Sequence, residues 1–307
     1  MIASIFKKSK PINFVIVLMA VLALFVYANL VFVKQPLSLV LVGRQTLVFC
    51  ISVFTMFLLN FIVIKNKLIE QSSYHILLFG LFMALFPITL VSVKMLLANT
   101  FVLLALRRLI SIQSQIEVKK KLFDAGFWLA IATLFYFWSG LFVLLIFMTL
   151  LLFSETRIKN WIVPFVGIAT VAILLVAYQL VRFDSVAGLY DFLPTFNFDF
   201  SYYGTVTLIL PISLVLGLGL WSTFYYVASL KDKTRTSKPS RKIIALAVIL
   251  GLAIVVLSDE KGTSEFIFMF APLSITIGSY LETIRKNWVR EVLLSVYILS
   301  ALILLVL

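Results

Sequence analysis

Polar residues in this chain come in bunches, and apolar windows fill the intervals between them. The windows lie near residues 12–33, 46–64, 75–92, 96–109, 124–138, 140–153, 162–181, 204–228, 242–257, 265–281 and 292–307. A bilayer presents roughly 30 Å of hydrocarbon, and a chain crossing it as helix satisfies its backbone polar groups internally. The pattern therefore predicts an all-α protein: a polytopic transmembrane helical bundle of about eleven helices, forming one integral membrane domain over residues 1–307. The block 124–153 is too long for one simple crossing. "FWSG", Phe137 to Gly140, interrupts it with a Ser-Gly breaker and predicts two short helices joined by a tight turn. The last window is barely long enough to span after Glu291, which leaves the count at ten to twelve.

Composition agrees with this reading. The chain is 63% hydrophobic and 13% charged, with a mean hydropathy of +1.13, more apolar surface than a soluble domain of this length can hide. The first window has a basic start but no small-residue cleavage site, so it reads as a retained helix and not as a signal peptide. Cys50 is the one cysteine. It reads as a small buried hydrophobe, since a disulfide or thiolate cluster would need more.

The net charge of +13 would suggest nucleic acid in a soluble protein, but the positions of the charges decide otherwise. With the N-terminus in the cytoplasm and the windows alternating, 21 Lys and Arg fall inside and only Lys34, Arg44, Lys94, Arg182 and Lys261 outside. That asymmetry is the positive-inside pattern. A basic cytoplasmic face beside anionic lipid needs no nucleic-acid partner. "RRLISIQSQIEVKKKLFDAG", residues 107–126, then lies on the cytoplasmic side. Its segment 107–123 reads equally as a short helix in the interface or as a solvated basic loop. The outward loops are 34–45, 182–204 and 258–264.

Candidate chemistry is sparse. No Asp, Glu or His lies at the centre of a window, which weakens any reading as an ion-coupled pump. His75 falls at a cytoplasmic helix start and reads as structural. The loop 182–204 interleaves Asp184, Asp191 and Asp199 with Phe and Tyr, as a sugar-binding surface or an interfacial aromatic belt would. "SDEKGTSEF", residues 258–266, offers Ser264 as a helix cap, with Glu265 in the first turn behind it. It also leaves Asp259 and Glu260 facing outward, where paired acids can act as general base. The candidate catalytic residues are thus Asp259, Glu260 and Asp184, and the candidate substrate contacts are Arg44, Lys94, Asp191 and Asp199. No zinc spacing or phosphate-binding glycine loop occurs, and neither a metal nor a cofactor is expected.

The stretch from "LANTFVLLALRRLISIQSQIEVKKKLFDAGFW" to "LLLF" resembles the middle of the GT-C class of glycosyltransferases, which use polyprenyl-phosphate sugars. The start, "MIASIFKKSKPINF", and the length resemble an uncharacterised family of Bacteroidota inner-membrane proteins. The first resemblance implies a polyprenyl-phosphate partner and periplasmic glycosyl transfer. The chain departs from it at "KQPLSLVLVGRQ", residues 34–45, where those enzymes carry a catalytic acid and this loop has none; Lys34 and Arg44 remain to meet a lipid phosphate. The expectation is therefore a non-enzymatic multi-pass inner-membrane protein of the cell envelope, a subunit or a factor handling a lipid-linked substrate. Its expected partners are membrane lipids, polyprenyl phosphate among them, and a further membrane protein. The alternatives are a GT-C-like glycosyltransferase and a passive transporter or flippase.

Overall fold

The computed structural model describes residues 2–36, 38–153, 157–185, 196–232, 234, 237–259 and 261–306. Among these residues the secondary structure is helical throughout, without a strand. The helices are α1 (Ile2–Phe6), α2 (Pro11–Phe32), α3 (Leu39–Lys65), α4 (Tyr74–Leu85), α5 (Val93–Ser111) and α6 (Val118–Phe135). They continue with α7 (Val143–Leu152), α8 (Ile158–Phe183), α9 (Val206–Ala228), α10 (Lys238–Leu257), α11 (Ile267–Thr283) and α12 (Asn287–Val306). Each apolar window holds one α-helix, and α1 precedes the first. Among the described residues eight helices are long and apolar enough to cross a membrane; α4 and α7 are shorter, and α6 opens with three lysines in its first turn.

Burial separates the helices into a centre and a rim. The segment Ser264–Thr283 is 78% buried within the bundle, whereas Ile158–Phe183 is 17% buried and Pro11–Phe32 is 22% buried. The rim helices accordingly present apolar side chains outward, as lipid contact requires. α4 rises only about 18 Å at 1.5 Å per residue, but it packs against α11 at the centre. Phe82 of α4 and Phe86 just beyond it interleave with Phe266 and Phe270: Phe86 stacks on Phe266 at 4.9 Å, and Phe82 lies 5.6 Å from Phe270. The block 124–153 does divide where the Ser-Gly breaker lies. α6 stops at Phe135, Tyr136 is extended, and a 3₁₀ turn, Phe137–Phe142, leads into α7.

Helix α8 joins the bundle through its backbone. A Cβ on Gly126 of α6 would lie 2.3 Å from the carbonyl oxygen of Pro164, and one on Gly167 of α8 would lie 2.4 Å from that of Phe123. Glycine at both positions lets the two helices touch main chain to main chain, a packing mode common where lipid supplies no hydrophobic drive.

The connections gather at two ends. At one end Asn13 donates to the Lys8 carbonyl and the Ser73 hydroxyl, and Tyr74 donates to the Ala3 carbonyl, which docks α1 onto the start of α4. There the Glu282 carboxylate accepts from the amides of Glu70, Gln71 and Ser72 at 2.9, 3.0 and 2.7 Å, pinning the α3–α4 loop to the end of α11. His75 is buried beside this loop, with its Nε2 3.2 Å from the Asn60 amide oxygen, in a packing role. Residues 107–123 form no separate interfacial helix. They comprise the last turn of α5, a 3₁₀ turn Ile112–Ser114, a bend through Gln115 and Glu117 at positive φ, and the first turns of α6. Cys50 is exposed on the flank of α3 and is not a core hydrophobe.

Candidate functional site

The opposite end brings together the two outward loops that the sequence offers as separate candidates. The side-chain amide of Asn197 donates to the Asp259 carbonyl at 3.1 Å. Phe196 meets Trp138 edge-on at 5.0 Å, and Lys261 lies 4.7 Å over the Phe200 ring. Tyr203 crosses to α11, donating its hydroxyl to Glu265 Oε1 and setting its ring edge-on to Phe266. Residues 196–203 thus form an aromatic flap over the Asp259–Phe266 segment.

Glu265 is the centre of this cluster. It is fully buried, and Oε1 also accepts from the Thr263 amide at 3.1 Å. Thr263 stands at φ 65°, a left-handed turn that folds the chain back over the carboxylate. Oε2 has no hydrogen-bond partner, and neither does the buried indole N–H of Trp138 nearby on the same end. Ser264 does not cap the helix that follows. The segment enters α11 through a 3₁₀ turn, Ser264–Phe266, and the side chain of Glu265 reaches back to the Thr263 amide ahead of that turn. Behind the flap, Tyr136 donates to Ser258 at 2.7 Å and stacks on Phe268.

The electrostatics follow from burial. Lys261 donates to the carbonyls of Val255 and Val256 at 2.9 and 2.7 Å, closing the C-terminal end of α10. Burial lowers its ammonium below the usual lysine range, against the pull of Glu265 and Asp259. Burial, reinforced by the Glu265 carboxylate, pushes the Tyr203 phenol up. Asp199 is exposed and accepts from the Ser201 amide at 2.9 Å, which holds its carboxyl below the usual range.

Among the sequence candidates, Asp259 lies at this cluster, half-buried, and contributes its main-chain carbonyl. Asp199 sits in the flap but turns its carboxylate onto its own loop. Asp184 is exposed at the end of α8 in a left-handed conformation, Arg44 is exposed on α3, and Lys94 is exposed in the first turn of α5. None of these charges makes a salt bridge with another described residue. Glu260 and Asp191 lie outside the described residues. Among the described residues no three His, Cys, Asp or Glu side chains gather as a metal site would require. The residue that pattern reading passed over is Glu265. The available signal was its place: an acid directly ahead of the apolar run 267–273, with an aromatic-rich loop free to cover it.

The model of a family of unknown function, DUF6427, matches residues 1–306. No curated protein and no solved structure matches the chain.

Proposed function

The chain belongs to the DUF6427 family, whose function is unknown, and from that premise we propose a non-enzymatic multi-pass protein of the bacterial inner membrane. It crosses the bilayer about eleven times with its N-terminus in the cytoplasm, and it serves the cell envelope as a subunit or as a factor handling a lipid-linked substrate. The observation that carries this reading is the division of charge between the two ends of the bundle. One end collects Lys7, Lys8, Lys65, Lys67, Arg107, Arg108 and Arg241 against Glu70 and Glu282, while the other holds Glu265 and Asp259 with Lys261 under the aromatic flap. Such an asymmetry is what orients a helical protein in a membrane, and it supports a reading with anionic headgroups at one end and an aromatic, carboxylate-bearing surface at the other. The non-enzymatic part rests on what Glu265 does. Its carboxylate anchors the flap to α11, a holding role.

Purification from its own membrane in mild detergent, followed by protein and lipid mass spectrometry of the eluate, tests the proposal. A protein partner in fixed ratio, or a bound polyprenyl phosphate, is the expected result; recovery of bulk phospholipid alone refutes it. One observation favours a second reading, glycosyl transfer from a polyprenyl-phosphate sugar at the outward end. The unpartnered, buried Oε2 of Glu265 and indole N–H of Trp138 are an acceptor and a donor of the kind that engage sugar hydroxyls once the flap lifts. Sugar release from a polyprenyl-phosphate sugar by the purified protein, abolished in Glu265→Gln, would establish that reading over the first.

A further inference from the structure

The basic end contains a cavity of about 470 Å³ at the junction of α3, α5 and α6, a size usual for small-ligand sites. Five cations line it, Lys65 and Lys67 from the α3 end, Arg107 and Arg108 from α5 and Lys121 from α6, and no acid does. The only carboxylate in a described salt bridge with any of the five is Asp124, 2.9 Å from Arg108. Like charges held this close repel one another unless an anion sits among them.

The cavity is built, and it is not a chance gathering of surface lysines. Lys121 is clamped by donating to the Ser111 carbonyl at 2.6 Å and to the Ser114 hydroxyl at 2.7 Å. Arg107 and Lys65 both lie over the Phe61 ring, 4.5 and 5.2 Å from its centroid. From behind, α10 braces two lining residues: Ser240 donates to the Gln113 side chain at 2.7 Å, and the nine-tenths-buried Arg241 donates to the Lys67 carbonyl at 3.3 Å. Lys67, Gln115 and Glu117 all stand at positive φ, conformations a non-glycine residue holds only where the surroundings impose them.

We infer that this cavity is a binding site for a phosphate group, and that the phosphate is the headgroup of a lipid. Guanidinium and ammonium donors converging on a cavity that no carboxylate lines, with only Arg108 paired to an acid, match phosphate oxygens. The lipid source follows from position. The cavity sits at the bundle end, and below it α3 exposes Phe57, Phe61 and Ile64 in a line along which acyl or prenyl chains can lie. This inference rests on the proposed function only in taking the basic end as a headgroup side.

The test is native mass spectrometry and titration of the full chain in mild detergent with three probes: dioleoyl phosphatidic acid, dioleoyl phosphatidylcholine and inorganic phosphate. One phosphatidic acid per chain is expected, in preference to phosphatidylcholine. Arg107→Gln/Lys121→Gln should weaken it by about tenfold or more, given the strength of charge-assisted hydrogen bonds. Lys65→Gln/Lys67→Gln, at exposed positions that do not hold the fold, should weaken it similarly. Lys231→Gln/Lys286→Gln removes the same charge from the same end outside the cavity and should leave binding nearly unchanged. Inorganic phosphate bound with the same sensitivity to the cavity variants, with no lipid bound, supports the phosphate site but overturns the lipid source. Equal weakening by the control pair, or no effect of either cavity pair, overturns the inference. A co-purified partner together with inert cavity variants would sink this inference alone. Cavity-dependent binding with no co-purified partner or carrier would sink the proposed function alone.

Discussion

Replacing Gly126 or Gly167 by alanine tests whether α8 is held by main-chain contact with α6. The added Cβ would lie 2.3 Å from the Pro164 oxygen in the first case and 2.4 Å from the Phe123 oxygen in the second. An unstrained carbon–oxygen contact is roughly 3.3–3.6 Å, so the helices must separate by about 1 Å. The obstructing atoms are backbone and cannot rotate aside. A gap of that size forfeits a quarter to a half of each dispersion contact across the interface, and overpacking of this kind costs about 1–3 kcal/mol. Alanine recovers about 0.5–1 kcal/mol through lower chain entropy in a helix. Each variant should therefore be less stable by about 1–2 kcal/mol, a melting temperature lower by roughly 2–8 °C in mild detergent. One separation relieves both clashes, so the double variant should lose less than the two losses added. Gly43→Ala and Gly217→Ala are the controls, because a Cβ at either meets nothing within 4 Å; they should match or exceed the parent. If Gly126→Ala and Gly167→Ala behave like these controls, or if the double loss is additive, the contact between α6 and α8 is not what the geometry implies.

Three other outcomes follow from the ends of the bundle. Tyr203→Phe removes one of the two donors to Glu265 Oε1 and should cost about 1–3 kcal/mol, with faster amide exchange confined to residues 196–203; unchanged exchange there would show that the flap is held by its rings alone. Glu282→Ala strips the acceptor from three loop amides and should cost about 1–3 kcal/mol, with Glu282→Gln between it and the parent; the readouts are melting temperature and exchange at residues 70–72. Burial lowers the Lys261 ammonium, so between the folded value and the ordinary lysine value the unfolded chain binds more protons, and stability rises with pH across that window. Lys261→Met should remove that part of the rise in denaturation profiles taken across alkaline pH, and identical slopes in parent and variant would contradict it.

Much of the architecture was legible in order and kind. Apolar run length is a one-dimensional property, so the helices, the division of the block 124–153 at residues 137–140 and the clustering of lysine and arginine at alternate connections could all be read directly. The short helices were less legible, because α4 and α7 owe their stability to neighbours that shield them. Cys50 and Ser264 show the same limit on a small scale. An apolar window does not say which flank of its helix faces lipid, and a cap residue type does not say whether the helix opens with a capped turn or through a 3₁₀ turn.

Run length and the order of charges are enough to make this a helical membrane protein with its charges sorted between two ends, since hydrocarbon admits few other solutions to such a pattern. Which residues meet is a matter of the packed helices. Tyr203 finds Glu265 across 62 positions and Asn197 finds Asp259 across another 62, while Lys65, Arg107 and Lys121 converge on one cavity from three helices. These meetings are set by how helices pack sideways, through contacts such as Gly126 on Pro164. Sideways packing depends on surface shape, which an apolar pattern along one helix does not encode.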